Sequence, residues 1–285
     1  MHRCRPRLAA GTDGIGRVVL EAAFRRLLAH WHPVLRRAGG ADRSGCHLLP
    51  IAVPEHGGQR QQPHGDHGRP DDARTRRHQP TDGPEGIRKN LELIRTIREA
   101  VGPDVEIMFD AWSSWDVPYT KRMAELAAEY RPWWFEEPVM ADMIHQYAEL
   151  RRSVSTVAIA GGEHEYTRWG IKDLLEAGAV DILQPDPTWA GGLTEMTRIC
   201  ALASAYGIPL IAHCGFRAAS HLIAAQTLTT CPLQEWLIQS AATGEYFLKH
   251  RYWPEDGYLD LPPGPGLAME LDESRIESRE LLDLS

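Results

Sequence analysis

Six residues of the types that bind metal ions or move protons recur at a near-constant interval. They are Asp110, Glu136, Glu163, Asp186, His213 and Glu235, and each closes a short apolar run: VEIMFD, PWWFEE, TVAIAGGE, VDILQPD, IPLIAH and PLQEW. The first three are carboxylates. Brought together they would repel one another strongly unless a cation sat between them. An all-oxygen donor set completed by water suits Mg²⁺ better than Zn²⁺. Asp186 and His213 come next. A carboxylate behind an imidazole fixes its tautomer and raises its basicity, which is the arrangement of a general base. Glu235, with a raised pKa, is suited to hydrogen-bonding a substrate oxyanion. His164 directly follows Glu163 and reads either as a second acid or as a helix cap. Trp189 and Arg217 fall in loops beside the same ends and read either as pocket walls or as packing. Glu137 adjoins Glu136, and neighbours on a strand point oppositely, so only one of that pair is expected to reach a metal.

The interval identifies the elements that must carry these groups. Successive members are separated by between 22 and 27 residues, the length of one strand and one helix with tight loops. Strands alternating with helical patterns imply parallel βαβ units. In a parallel barrel all strands point one way, so every polar end meets at one rim, where barrel enzymes keep their chemistry. The helices are legible between the runs. PEGIRKNLELIRTIREAVGP places Ile87, Leu91, Ile94, Ile97 and Val101 on one face, stopped by Gly102-Pro103. Asp116 is placed to cap VPYTKRMAELAAEY, with Pro118 in its first turn. LTEMTRICALASAYG ends at a C-cap glycine, Gly207.

Composition divides the chain. Residues 1–82 carry 14 Arg, no Lys and 8 acids, whereas 83–285 carry 17 basic and 31 acidic residues. The basic front lacks Lys and is poor in the stacking aromatics of a nucleic-acid arm, so no nucleic acid is expected as partner. It offers one amphipathic helix, 18–37, followed by GGQRQQPHGDHGRPDDARTRRHQPTDGP, which has too little apolar surface to offset its ordering entropy. We read 1–82 as an irregular or disordered region and 83–285 as the folded domain. No apolar run approaches the roughly 20 residues of a membrane span, and the start MHRCRPRLAAG lacks the apolar segment of a secretory signal. Five cysteines form no CxxC pair. These readings point to a cytoplasmic protein with reduced thiols and no membrane partner.

The motifs FDAW (109–112), WFEEP (134–138), GGEHEYTRWG (161–170), QPDPTWAGGLTE (184–195), IAHCG (211–215) and the Glu of PLQEW together resemble the enolase superfamily, in its mandelate racemase-like branch. Over 83–285 their order, spacing and identity agree with it. The resemblance implies a TIM-like (β/α)-barrel, with Asp110, Glu136 and Glu163 as Mg²⁺ ligands, a His213–Asp186 dyad, and Glu235 facing a substrate carboxylate. The His after the third ligand and the PDxxWxGGLTE loop look most like sugar-acid dehydratases of the rhamnonate type. Their chemistry removes the α-proton of an acid sugar, passes through an enediolate and expels the β-hydroxyl to leave a 2-keto-3-deoxy acid. A racemase or epimerase of the same superfamily and a catalytically inactive remnant are the rival readings. The family also implies a capping domain and two barrel strands ahead of Asp110, the second bearing a Lys motif. Residues 1–82 contain neither a Lys nor a recognisable strand pair. The expectation is therefore an incomplete barrel, strands three to eight only, whose open edges favour a homo-oligomer.

Overall fold

The structure is a computed structural model that describes residues 46–49, 51–52 and 83–278, except 215, 238–243, 252, 255–257 and 262–263. The helix expected at 18–37 and the polar stretch after residue 57 lie outside the described residues.

From Gly83 onward strands and helices alternate. Helix α1 (Gly83–Val101) leads to β3 (Ile107–Asp110), α2 (Val117–Ala127) to β4 (Pro132–Glu136), and α3 (Ile144–Ser153) to β5 (Ala158–Gly161). Helix α4 (Thr167–Glu176) leads to β6 (Ile182–Leu183), and α5 (Gly192–Tyr206) and α6 (Phe216–Ala224) precede β7 (Gln234–Glu235). The punctuation follows local chemistry. Asp116 Oδ1 accepts from the Tyr119 N–H at 2.8 Å, capping α2. Gly102 and Gly207, at φ +79° and +69°, adopt the left-handed conformation that ends α1 and α5. Arg98, in the last turn of α1, donates to the carbonyls of Gly102, Val105 and Tyr130, which holds the turn into β3 against the far end of α2.

Strands β3, β4, β5 and β6 pair in parallel, and Leu183 of β6 bridges in parallel to Leu210. Outward-facing Phe109 and Phe135 meet Ile94, Ile97 and Met123 of α1 and α2. Ile159 and Leu183 meet the apolar faces of α3 to α6. Burying each such side chain contributes roughly 1.5–3 kcal/mol. The barrel interior has its own cluster of Met108, Trp134, Ala160, Ile182 and Ile211, with Leu233 against it.

Two strands come from the front of the chain, where none was expected. Strand β1 (Cys46–Leu49) pairs in parallel with β7, Leu48 opposite Gln234 and Leu49 opposite Glu235. Strand β2 (Ile51–Ala52) pairs in parallel with β3. The intervening residue is Pro50, which has no N–H to offer a ladder. The segment 46–52 thus stands between the two edges expected to be open, with β7 on one side and β3 on the other. Strands of four and two residues broken by a proline carry no periodicity to detect, which is why CHLLPIA escaped notice. A last strand, β8 (Tyr258–Leu259), pairs antiparallel with β1, so part of the segment read as tail is folded onto the barrel. No helix among the described residues is long and apolar enough to cross a membrane.

Candidate metal and acid–base site

The interior cluster locates the site. Two residues further along each strand from Met108, Trp134, Ala160, Ile182, Ile211 and Leu233 stand Asp110, Glu136, Gly162, Gln184, His213 and Glu235. Since side chains alternate along a strand, this second set faces the same interior one layer nearer the rim. The layer changes from apolar to almost wholly polar within that one step. The indole of Trp134 joins the two, its Nε1–H donating to Glu136 Oε2 at 3.2 Å.

Gly162 contributes no side chain, and Glu163 takes its place. Gly162 sits at φ +114°, where an L residue is strained, and a Cβ there would lie 3.2 Å from Leu183 Cδ1. The left-handed turn lets the following residue return toward the interior. Glu163 Oε2 lies 3.2 Å from His213 Nε2. His213 Nδ1 in turn lies 2.9 Å from Asp186 Oδ2, and Asp186 Oδ1 accepts from the N–H and hydroxyl of Thr188 at 2.6 and 2.5 Å. The dyad and the third carboxylate are therefore in direct contact through one imidazole.

Glu137 departs from expectation. The strand ends at Glu136 and the next residue turns to φ +38°, so the two adjacent carboxylates are not sent to opposite faces. Both are buried. Glu137 Oε1 lies 2.9 Å from His164 Nδ1, and Glu163 Oε1 is 3.6 Å from the same nitrogen. Donor atoms of Glu137, Glu163 and His164 fall within 4.8 Å of one another. This compact trio shares only Glu163 with the triad read from the sequence. Asp110 and Glu136 nevertheless belong to the same cluster, because Glu136 feels the charges of Asp110 and Glu163, and Asp110 feels that of Glu137.

The cluster holds far more negative than positive charge. Burial lifts Asp110 to about 6 against the pull of the Trp112 N–H, with Glu137 adding like charge. Burial lifts Glu163 to about 7, opposed by His213 and reinforced by Glu137 and Asp110. Glu235 is also raised to about 7 by burial, against His213 and the Cys214 N–H. Glu136, buried beside Glu235 and Asp110, is raised well above the carboxylate range. Burial draws His213 down, but the Asp186 hydrogen bond and the charges of Glu235 and Glu163 prevail and push it up to about 10. Two carboxylates 4 Å apart repel by roughly 4 kcal/mol near a protein surface. Acids this close, with Glu235 Oε2 buried and unpartnered, fit a hard divalent cation. His164 is the exception in that donor set, since its nitrogen is engaged by Glu137.

Trp189 is 45% exposed, its ring edge-on to His164 at 5.3 Å and tilted against Tyr166 at 5.6 Å. Arg217 is placed differently. It is buried, and its five N–H groups meet Glu245 Oε1 and Oε2 at 3.0 and 2.5 Å and the carbonyls of Leu267, Ala268 and His250. A buried Arg with every donor engaged clasps the C-terminal segment to α6, which is the packing reading of the two. Gln184 was missed altogether.

The chain belongs to the enolase C-terminal domain-like family, whose model matches residues 71–275. Among individual proteins, it is 39% identical over 232 residues to an L-rhamnonate dehydratase of Saccharopolyspora erythraea, covering 76% of this chain and 59% of that one. A putative L-rhamnonate dehydratase of Caldivirga maquilingensis is 36% identical over 205 residues, covering 70% of this chain and 51% of the relative. The chain thus spans between half and three fifths of the length of these relatives. The structure resembles that of rhamnonate dehydratase from Gibberella zeae complexed with Mg, with a TM-score of 0.67 at 32% identity over 85% of this chain and 60% of that one. It also resembles a racemase from Streptomyces coelicolor A3(2) with bound magnesium, with a TM-score of 0.61 at 25% identity over 68% of this chain and 52% of that one.

Proposed function

We propose that the protein is a Mg²⁺-dependent acid-sugar dehydratase of the rhamnonate type, a hydro-lyase acting on an aldonate in the cytoplasm. The observation that carries this reading is His213, held by Asp186 on one nitrogen and facing the carboxylate cluster with the other. Asp186, fixed by Thr188, accepts the Nδ1–H and leaves Nε2 as the working nitrogen. Nε2 takes the α-proton of the acid sugar. The imidazolium so formed returns a proton to the β-hydroxyl, which departs as water, and the enol left behind becomes a 2-keto-3-deoxy acid. Glu235, in its neutral form, donates a hydrogen bond to the substrate carboxylate, and His164, oriented by Glu137, is a second acid on the same rim. Asp110, Glu136 and Glu163, with Glu137 at hand, would hold the magnesium, which when bound supplies the positive charge that offsets charge building on the substrate carboxylate. Trp189 forms part of the substrate wall.

The test is incubation of the metal-stripped protein with and without Mg²⁺ against L-rhamnonate and a panel of other aldonates, assaying keto-acid formation. Mg²⁺-dependent product is expected. Exchange of the α-proton in D₂O with no elimination would replace this reading with the racemase one, and Mg²⁺ binding with neither reaction would leave a non-catalytic relative.

A further inference from the structure

Gln184 is the one side chain in the polar layer that does not ionise. It is fully buried, and neither its Nε2 nor its Oε1 has a hydrogen-bond partner. Its backbone is fixed, the N–H donating to Gly161 O at 2.9 Å. Its amide lies within reach of the Glu136 carboxylate and favours its charged form as a hydrogen-bond donor would, but the geometry falls short of a formed hydrogen bond. The neighbouring strand offers only Gly162 at this level. A buried amide left without partners is disfavoured, and an apolar residue of the same size would pack there at no such cost. Glu would add another negative charge to an overcharged cluster. Lys would neutralise the acids and compete with a cation. An amide offers Glu136 a donor without altering the net charge.

We propose that Gln184 is a positioning residue of the metal centre. Its Nε2–H donates to Glu136 once a cation draws that carboxylate into place, so that Glu136 is held by Trp134 from below and by Gln184 from the side. This inference rests on the reading of the cluster as a magnesium site.

The test uses the full chain, stripped of metal, as wild type, Gln184→Met and Gln184→Leu. Mg²⁺ alone is titrated by calorimetry, and melting is followed without metal. Residues that orient metal ligands typically change affinity 10- to 100-fold when removed. We expect both variants to melt without metal at or above the wild-type temperature and to bind Mg²⁺ at least about tenfold more weakly. Mg²⁺ affinity within twofold of wild type in either folded variant overturns the proposal. Two variants that fail to fold also overturn it, since Gln184 would then be a packing residue. Wild-type protein that binds no Mg²⁺ defeats the metal reading itself, and this inference with it, which separates that failure from the others.

Discussion

Two layers of the same barrel interior, one step apart along each strand, have opposite chemistry. The lower layer, Met108, Trp134, Ala160, Ile182 and Ile211, is apolar and closed. The upper layer, Asp110, Glu136, Gln184, His213 and Glu235, collects buried acids, an imidazole held between Asp186 and Glu163, and an amide with no partner. The lower layer stabilises the fold by removing apolar surface from water. The upper layer works against the fold, because every carboxylate in it is shifted toward its neutral form. The division shows where stability and chemistry separate in this chain: at the step from Trp134 to Glu136, linked by one indole hydrogen bond.

Substitutions should distinguish the layers. The largest effect is expected in the upper one. His213→Asn should lose elimination and α-proton exchange together, by about two to four orders of magnitude, with melting temperature and Mg²⁺ binding retained. Glu163→Gln should abolish Mg²⁺-dependent activity and any Mg²⁺-induced rise in melting temperature, because an amide does not offset a dication. Either variant keeping wild-type behaviour would dissolve the contrast. Next in size, Trp134→Ala in the lower layer should cost about 3–5 kcal/mol of stability in denaturant unfolding. A loss under about 1 kcal/mol would mean that the interior is not the packed core described.

A smaller effect separates the layers by pH. Raised folded-state pKa values at Asp110, Glu163 and Glu235 mean that folding retains protons the unfolded chain has released, so stability falls as pH rises from about 4 toward 7. His213, raised to about 10, extends the fall from about 6.5 to 10. The metal-free protein should therefore melt several degrees lower at pH 9 than at pH 5, at roughly 2–4 °C per kcal/mol, and saturating Mg²⁺ should flatten the slope. A melting temperature that climbs over this range would contradict the charge distribution. Smallest is Trp189→Ala above the polar layer. Its exposed ring should leave stability within about 0.5 kcal/mol and act on KM more than on kcat.

The upper layer was legible because its members end apolar runs at a βα period, so residue type and spacing agreed at Asp110, Glu136, His213 and Glu235. Gln184 obeyed the same register, two residues after Ile182, but its amide does not stand out among Pro and Asp. Glu137 was misjudged because alternation was extended one residue past the strand, into a left-handed turn that nothing in WFEEP signals. The two readings of Arg217 stayed open because its partner, Glu245, lies 28 residues away, and such distances are closed only by the fold. The strands at 46–52 were hidden by their brevity.

Those strands carry a consequence for how the barrel assembles. Most strand pairs join neighbours one βα unit apart, but Leu48 pairs with Gln234, 186 residues further on. Loop-closure entropy grows as the logarithm of the span, so this pairing costs roughly 2 kcal/mol more than one across a single βα unit. High-separation contacts are also the slow ones to form. The seam between β1 and β7 is therefore expected to be the last joint made, and the amides around Leu48 and Gln234 the first to exchange with solvent deuterium. Because Glu235 lies in that seam, paired with Leu49, the site gains this carboxylate only when the two ends of the sheet meet.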